Sequence, residues 1–96
     1  MIIKITGATT QDIFDGENSK AARKLPQELH EKARRLLDLI NAATRLDDLR
    51  IPPGNRLEAL KGNYKGFYSV RINNQWRILF KWHNGDADEV QIIDYH

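Results

Sequence analysis

Two arginines set in apolar runs define the chemistry open to this chain. Arg71 lies in Tyr68-Ser69-Val70-Arg71-Ile72, and Arg77 in Trp76-Arg77-Ile78-Leu79-Phe80. A guanidinium is always charged, and its planar fork of donors matches a phosphate. Lys61 adds a point charge. His96, the last residue of the sequence, adds an imidazole whose ordinary pKa of about 6.5 lets it move protons near neutrality. Residues 56–82 carry Arg56, Lys61, Lys65, Arg71, Arg77 and Lys81 against Glu58 alone, a net charge of +5, interleaved with Tyr64, Phe67, Tyr68, Trp76, Phe80 and Trp82. Such a mixture of cations and stacking rings is the inventory of an RNA-binding surface. RNA also carries its own nucleophile, the 2′-OH beside each phosphate. Cutting it requires a proton taken from that hydroxyl, charge stabilised on the phosphorane-like transition state, and a proton given to the leaving 5′-oxygen. Arg71, Arg77, Lys61 and His96 are the residues available for those tasks.

Other chemistries find little support. There is no nucleotide-binding loop, no Gly-x-Ser-x-Gly and no His-Glu-x-x-His. The absence of cysteine excludes thiol catalysis and disulfide staples. His30, His83 and His96 are scattered, so neither a metal nor a cofactor is expected. Ninety-six residues, 41% hydrophobic and 29% charged, predict one globular domain spanning 1–96. Met1-Ile2-Ile3-Lys4-Ile5 is too short for a signal peptide, and no stretch approaches the roughly 20 apolar residues of a membrane span. The expectation is a cytoplasmic protein without membrane contact.

These residues need a scaffold. Ile2 to Ile5 reads as a short strand, followed by a brief helix through Ile13-Phe14, capped by Thr9 or Thr10 and stopped at Gly16. Residues 16–25 lack a period and read as a mobile connection with some helical tendency. Pro26 then suits the first turn of the strongest helix, in which Leu29, Ala33, Leu36, Leu37 and Ile40 form one apolar stripe. This helix should end near Ala42–Thr44, with Pro52-Pro53-Gly54 breaking the chain further on. From Arg56 the period becomes two, giving strands near 56–61, 67–72, 76–83 and 88–94 in an antiparallel meander.

Strand register follows from the apolar pairs. A three-residue loop, Asn73-Asn74-Gln75, sets Ile72 against Trp76, Val70 against Ile78 and Tyr68 against Phe80. The same register opposes Arg71 to Arg77 on the other face. Like charges so placed are destabilising, so an anion is the natural occupant between them. The next hairpin poses a conflict. Asn84-Gly85 signals a two-residue turn, yet pairing Phe80 with Val90 and Ile78 with Ile92 needs three. The apolar pairing is favoured, and it brings Tyr95 near Arg77. Strict alternation would then aim Asp94 and His96 at the opposite face.

The motif order Pro52-Pro53-Gly54-Asn55-Arg56-Leu57, Leu60-Lys61-Gly62, Gln75-Trp76-Arg77 and Asp94-Tyr95-His96 resembles the HigB-type toxins of bacterial type II toxin–antitoxin pairs. These are the plasmid maintenance killer proteins within the RelE/ParE superfamily, and the resemblance runs from about Leu36 to His96. It implies a RelE-like α+β fold, with an N-terminal strand and helices packed on a mainly antiparallel sheet. It also implies an mRNA interferase that enters the ribosomal A site and cleaves messenger RNA during translation. The implied neutralising partner is a cognate HigA-type antitoxin with a helix-turn-helix domain. The positions matching the family's functional ones are Lys61, Arg71, Arg77, Asp94, Tyr95 and His96. By that resemblance the arginines handle phosphate and transition-state charge, and Lys61 is an electrostatic aid or proton partner. Tyr95 stacks on or orients a base, Asp94 orients its neighbours, and His96 is an acid or base. Where some relatives carry histidine before Leu-Lys-Gly, this chain has Glu58, an additional candidate for proton transfer. Two alternatives stay open: a ParE-like toxin acting on gyrase without nuclease activity, and an inactive RNA- or antitoxin-binding module.

Overall fold

A computed structural model of the protein describes residues 1–95. Helix α1 (Ala8–Phe14) and helix α2 (His30–Ala42) pack on one face of a four-stranded antiparallel sheet with order β1-β2-β3-β4. Its strands are β1 (Glu58–Ala59), β2 (Tyr68–Arg71), β3 (Trp76–His83) and β4 (Asp86–Asp94). The N-terminal segment runs parallel to β4 through bridges at Ile2–Ala87 and Ile5–Val90. It is tied there by backbone bonds such as Ile3 N–H to the Ala87 carbonyl at 2.8 Å. The expected N-terminal strand is thus present as a pair of bridges along the β4 edge.

The apolar stripe of α2 behaves as its spacing predicts. Ala33, Leu36, Leu37 and Ile40 are buried against Val70, Ile72, Ile78, Phe80, Ala87 and Val90 of the sheet, with Leu29 packed at the margin. Pro26 precedes a 3-10 turn at Gln27–Leu29 that leads into α2. Residues 16–25 differ from expectation. The segment is pinned rather than loose, because Ala22 and Leu25 are fully buried and Ser19 bonds both Asp12 and the Ala22 N–H. The threonine caps are also corrected. Gly7 holds the cap position of α1 with no side-chain bond, while Thr9 bonds the Ala21 carbonyl and buried Thr10 accepts the Ile92 N–H at 2.9 Å. Both hydroxyls serve tertiary contacts, which anchor α1 to the connection and to β4.

The first hairpin has the predicted register: Tyr68 pairs with Phe80, Val70 with Ile78 and Arg71 with Arg77, and Ile72 N–H bonds the Trp76 carbonyl. In the second, both signals prove true at once. Asn84-Gly85 forms a two-residue turn with positive φ at both positions, closing His83 on Asp86, while Ile78 still pairs with Ile92. The difference is absorbed by a β-bulge. The pairing shifts by one residue between Leu79 and Lys81, and Glu89 adopts φ 48°. One extra residue on β4 lets a tight turn coexist with apolar pairing.

Candidate functional site

The helix-free face of the sheet holds the site. Strand alternation places Ser69, Arg71, Arg77, Leu79 and Lys81 there, beside Ile93 across β4 and Glu58 across β1. This face is not a flat wet surface, since Ser69 and Leu79 are both fully buried.

Arg77 lies at its centre, with only 15% of its side chain exposed. The guanidinium donates to Ser69 Oγ at 3.1 Å, stands 3.6 Å from Glu58 Oε2 and lies over the Tyr95 ring at 4.9 Å from the centroid. Each contact has a backbone cause. β1 pairs Glu58 with Ser69, which places the carboxylate and the hydroxyl side by side on the Arg77 face. Tyr95 is brought back by its own N–H, which bonds the Gln75 carbonyl just beyond the last β3–β4 pair. A buried hydroxyl, a carboxylate and an aromatic face therefore hold one cation in a single attitude. That preorganisation suits a group meant to meet developing charge.

Arg71 and Arg77 are directly opposed, as expected, but their charges are relieved differently from expectation. Arg77 takes Glu58 as its counter-ion, and Arg71 turns away to donate to Asn74 Oδ1 in the hairpin loop. Side chains of the protein thus ease the repulsion assigned above to a bound anion. At 3.6 Å the Glu58 contact is an ion pair without a close hydrogen bond, so an incoming phosphate can compete for it.

The remaining candidates divide. Tyr95 joins Arg77 as the sequence suggested. Asp94 pairs with Trp76, on the opposite face of the sheet from Arg77, and accepts from Gln75 Nε2 at 3.1 Å. Lys61 is exposed and leads the turn Gly62–Tyr64, beyond the end of β1. Its neighbour Leu60 is tied by an N–H bond to the Phe67 carbonyl. His96 lies outside the described residues. Ser69 was not foreseen as a site residue. Alternation put it on the arginine face, but nothing local announced that it would be buried against Arg77.

Farther along β3, Lys81 binds Glu89 Oε2 at 2.7 Å, and its ammonium lies 5.0 Å from the Phe67 ring centroid. The close hydrogen bond and the opposite charge raise the lysine pKa and lower that of the glutamate. No His, Cys, Asp or Glu cluster able to hold a metal ion occurs among the described residues. No helix among them is long and apolar enough to cross a membrane.

A family model for HigB-like toxins, described as the RelE-like toxin of type II toxin–antitoxin system HigB, matches residues 11–96. Toxin HigB-1 of Vibrio cholerae serotype O1 is 45% identical over 71 residues, 74% of this chain and 75% of that protein. The protein named endoribonuclease HigB of Proteus vulgaris is 37% identical over 60 residues, 62% of this chain and 64% of its own. In three dimensions, the fold is shared with a chain of the YoeB–YefM toxin–antitoxin heterotetramer from Staphylococcus aureus. That match has a TM-score of 0.62 at 21% identity and covers 100% of this chain and 95% of that one. The family match reaches well forward of Leu36, where the motif resemblance begins, and takes in most of α1. With its α+β architecture of helices on an antiparallel sheet and its match from residue 11 to the end, this chain belongs to the HigB-like family of RelE-like toxins of type II toxin–antitoxin systems.

Proposed function

We propose that this toxin is a ribosome-dependent endoribonuclease that enters the A site and cuts messenger RNA during translation in the cytoplasm. A cognate HigA-type antitoxin with a helix-turn-helix domain neutralises it. The observation that carries this reading is Arg77, a nearly buried guanidinium held by Ser69, Glu58 and Tyr95 on a cationic sheet face.

The reaction follows from the parts. The scissile phosphate docks on Arg77 and draws it from Glu58, and Arg71 swings from Asn74 to add a second fork. Released from its ion pair, Glu58 accepts the 2′-OH proton as the 2′-oxygen attacks phosphorus. The bond to the 5′-oxygen breaks, and His96 protonates that leaving group. The products are a 2′,3′-cyclic phosphate and a 5′-hydroxyl. The arginines carry the charge that grows on the non-bridging oxygens, and Lys61 adds to the local positive field. Tyr95 stacks on a base while its ring steadies Arg77, and Asp94 orients the chain end from the other face. Few strong bases are available on this surface, so the ribosome contributes by fixing the message in line, which can supply several kcal/mol of the barrier.

Mapping RNA 5′ ends in cells after induction tests the proposal. New 5′-hydroxyl ends within translated messages should appear with the wild type and vanish with Arg77→Ala. Intact transcripts accompanied by altered DNA supercoiling would instead support action on gyrase.

A further inference from the structure

Between β1 and β2 the chain makes a compact loop, Lys61-Gly62-Asn63-Tyr64-Lys65-Gly66-Phe67, whose chemistry the proposed cleavage step leaves largely unused. Three backbone bonds brace it: Tyr64 N–H to the Lys61 carbonyl at 3.3 Å, Lys65 N–H to Gly62 at 3.1 Å and Phe67 N–H to Tyr64 at 2.9 Å. Gly62 and Gly66 take φ of 63° and 95°, which lets so short a segment double back. Tyr64 is 41% exposed, a large fraction for an aromatic ring on a small protein. Phe67 meets it nearly perpendicularly, with centroids 6.3 Å apart and planes at 84°. A perpendicular contact covers at most one face of the Tyr64 ring. Lys61 and Lys65 precede and follow Tyr64 in the same exposed loop, and neither has an ion-pair partner among the described residues.

The loop ends at Phe67, whose ring meets the same sheet face as Arg77. Lys81 follows Arg77 and Leu79 by alternation along β3, and its ammonium lies 5.0 Å from the Phe67 centroid. The β-bulge adds its residue to β4 and leaves the alternation of β3 intact. Four rises of strand lead from Arg77 to Lys81, about 13 Å. An exposed, braced aromatic ring in a loop that carries two exposed lysines, at the margin of the sheet face that holds Arg77, has the composition of a single-strand stacking platform.

We infer that Tyr64 is a second nucleotide subsite. It stacks on an unpaired base of the message flanking the scissile phosphate, while Lys65 neutralises the adjoining backbone. The inference rests on the endoribonuclease reading but concerns affinity and placement of the strand rather than the chemical step. Because every base has a π-face, the subsite should strengthen binding with little sequence preference.

The test uses purified toxin with programmed ribosomes, together with direct binding of a 2′-O-methyl single-stranded oligonucleotide that cannot be cleaved. Tyr64→Ala should raise the toxin concentration for half-maximal cleavage by about 5- to 150-fold, the range for loss of one base stack. The maximal rate should stay unchanged, and oligonucleotide affinity should weaken in parallel. Tyr64→Phe should restore both. Truncating the message beside the cleaved codon should erase the difference between wild type and Tyr64→Ala. Equal half-maximal concentrations for wild type and Tyr64→Ala would overturn the inference, as would equal impairment in Tyr64→Phe and Tyr64→Ala. Persistence of the effect on truncated messages would overturn the assignment to the message strand. Loss of antitoxin binding in Tyr64→Ala with normal oligonucleotide affinity would make the loop a protein contact instead. Arg77→Ala is the control: if it cleaves as fast as wild type, the cleavage proposal fails, while the oligonucleotide arm still judges Tyr64.

Discussion

Replacing Arg77 separates its structural work from its chemical work, and the structure allows both to be estimated. Truncation to alanine leaves the buried Ser69 hydroxyl without its guanidinium donor, a loss of about 1–3 kcal/mol. It removes an ion pair to a half-exposed glutamate, about 0–1 kcal/mol. It also removes a cation over the Tyr95 ring, about 0.5–1 kcal/mol. Against these losses, the opposition of Arg71 and Arg77 disappears, regaining about 0.2–1 kcal/mol. The net cost is about 0.5–5 kcal/mol, and each kcal/mol lowers Tm by about 4–8 °C for a domain of this size. Since domains are stable by about 5–15 kcal/mol, the protein should remain folded over all but the top of that range. Its cleavage on programmed ribosomes in single turnover should fall about 10²–10³-fold, the loss expected when one preorganised charge stabiliser is removed. Arg77→Lys should recover stability better than rate, because one ammonium cannot hold Ser69 and grip two phosphate oxygens together. Urea melts and single-turnover rates measured on the same preparations decide the matter. A folded Arg77→Ala that cuts at the wild-type rate refutes the assignment. An Arg77→Ala that fails to fold shows the arginine to be chiefly structural.

Other outcomes follow from the same contacts. Leu37→Ala, at a fully buried position on α2, should cost about 2–5 kcal/mol through the cavity it leaves; urea melts should show the loss, with residual activity tracking the folded fraction. Asp48 accepts the backbone N–H groups of Arg45 and Thr44, each at 3.1 Å, and these bonds hold its carboxyl below the ordinary carboxylate range. Its stabilising effect is thus present above that range and lost as pH falls through the lowered value, so melts of wild type and Asp48→Ala should differ most near neutrality and converge in acid. Tyr95→Phe should keep the ring over Arg77, the melting temperature and most of the cleavage rate, whereas Tyr95→Ala should lose rate and, with the ring–cation contact, about 0.5–1 kcal/mol of stability, as single-turnover and thermal measurements on each variant would show.

Local regularities made much of the scaffold legible. The stripe Ala33, Leu36, Leu37, Ile40 announces its own helix and buried face, because a helical period needs no knowledge of what covers it. The apolar pairs Val70–Ile78 and Tyr68–Phe80 determine the first hairpin, since a slip of one residue would send every one of them to the wrong face. The opposition of Arg71 and Arg77 came with that register at no extra assumption, whereas the approach of Tyr95 came from the Ile78–Ile92 pairing of the second hairpin. The second hairpin was only half legible. Asn84-Gly85 and the Ile78–Ile92 pairing each spoke clearly, but they conflict unless Glu89 accepts φ 48°, and no residue type in that stretch signals a bulge.

The composition and motif order of the chain by themselves determined its family, its helix-plus-meander architecture and the cationic, aromatic character of one sheet face. Only the tertiary structure decided what each cation touches. Glu58 reaches Arg77 because a two-residue strand pairs it with Ser69, and that pairing depends on how the 61–67 loop folds back. Thr10 leaves the helix cap for the Ile92 N–H because α1 docks on β4. By contrast, strand alternation alone already sent Asp94 and Tyr95, adjacent in sequence, to opposite faces. Periodicity records which face a residue takes within its own element. Partners between elements depend on the path of the connecting loops, and only the folded chain brings those distant residues together.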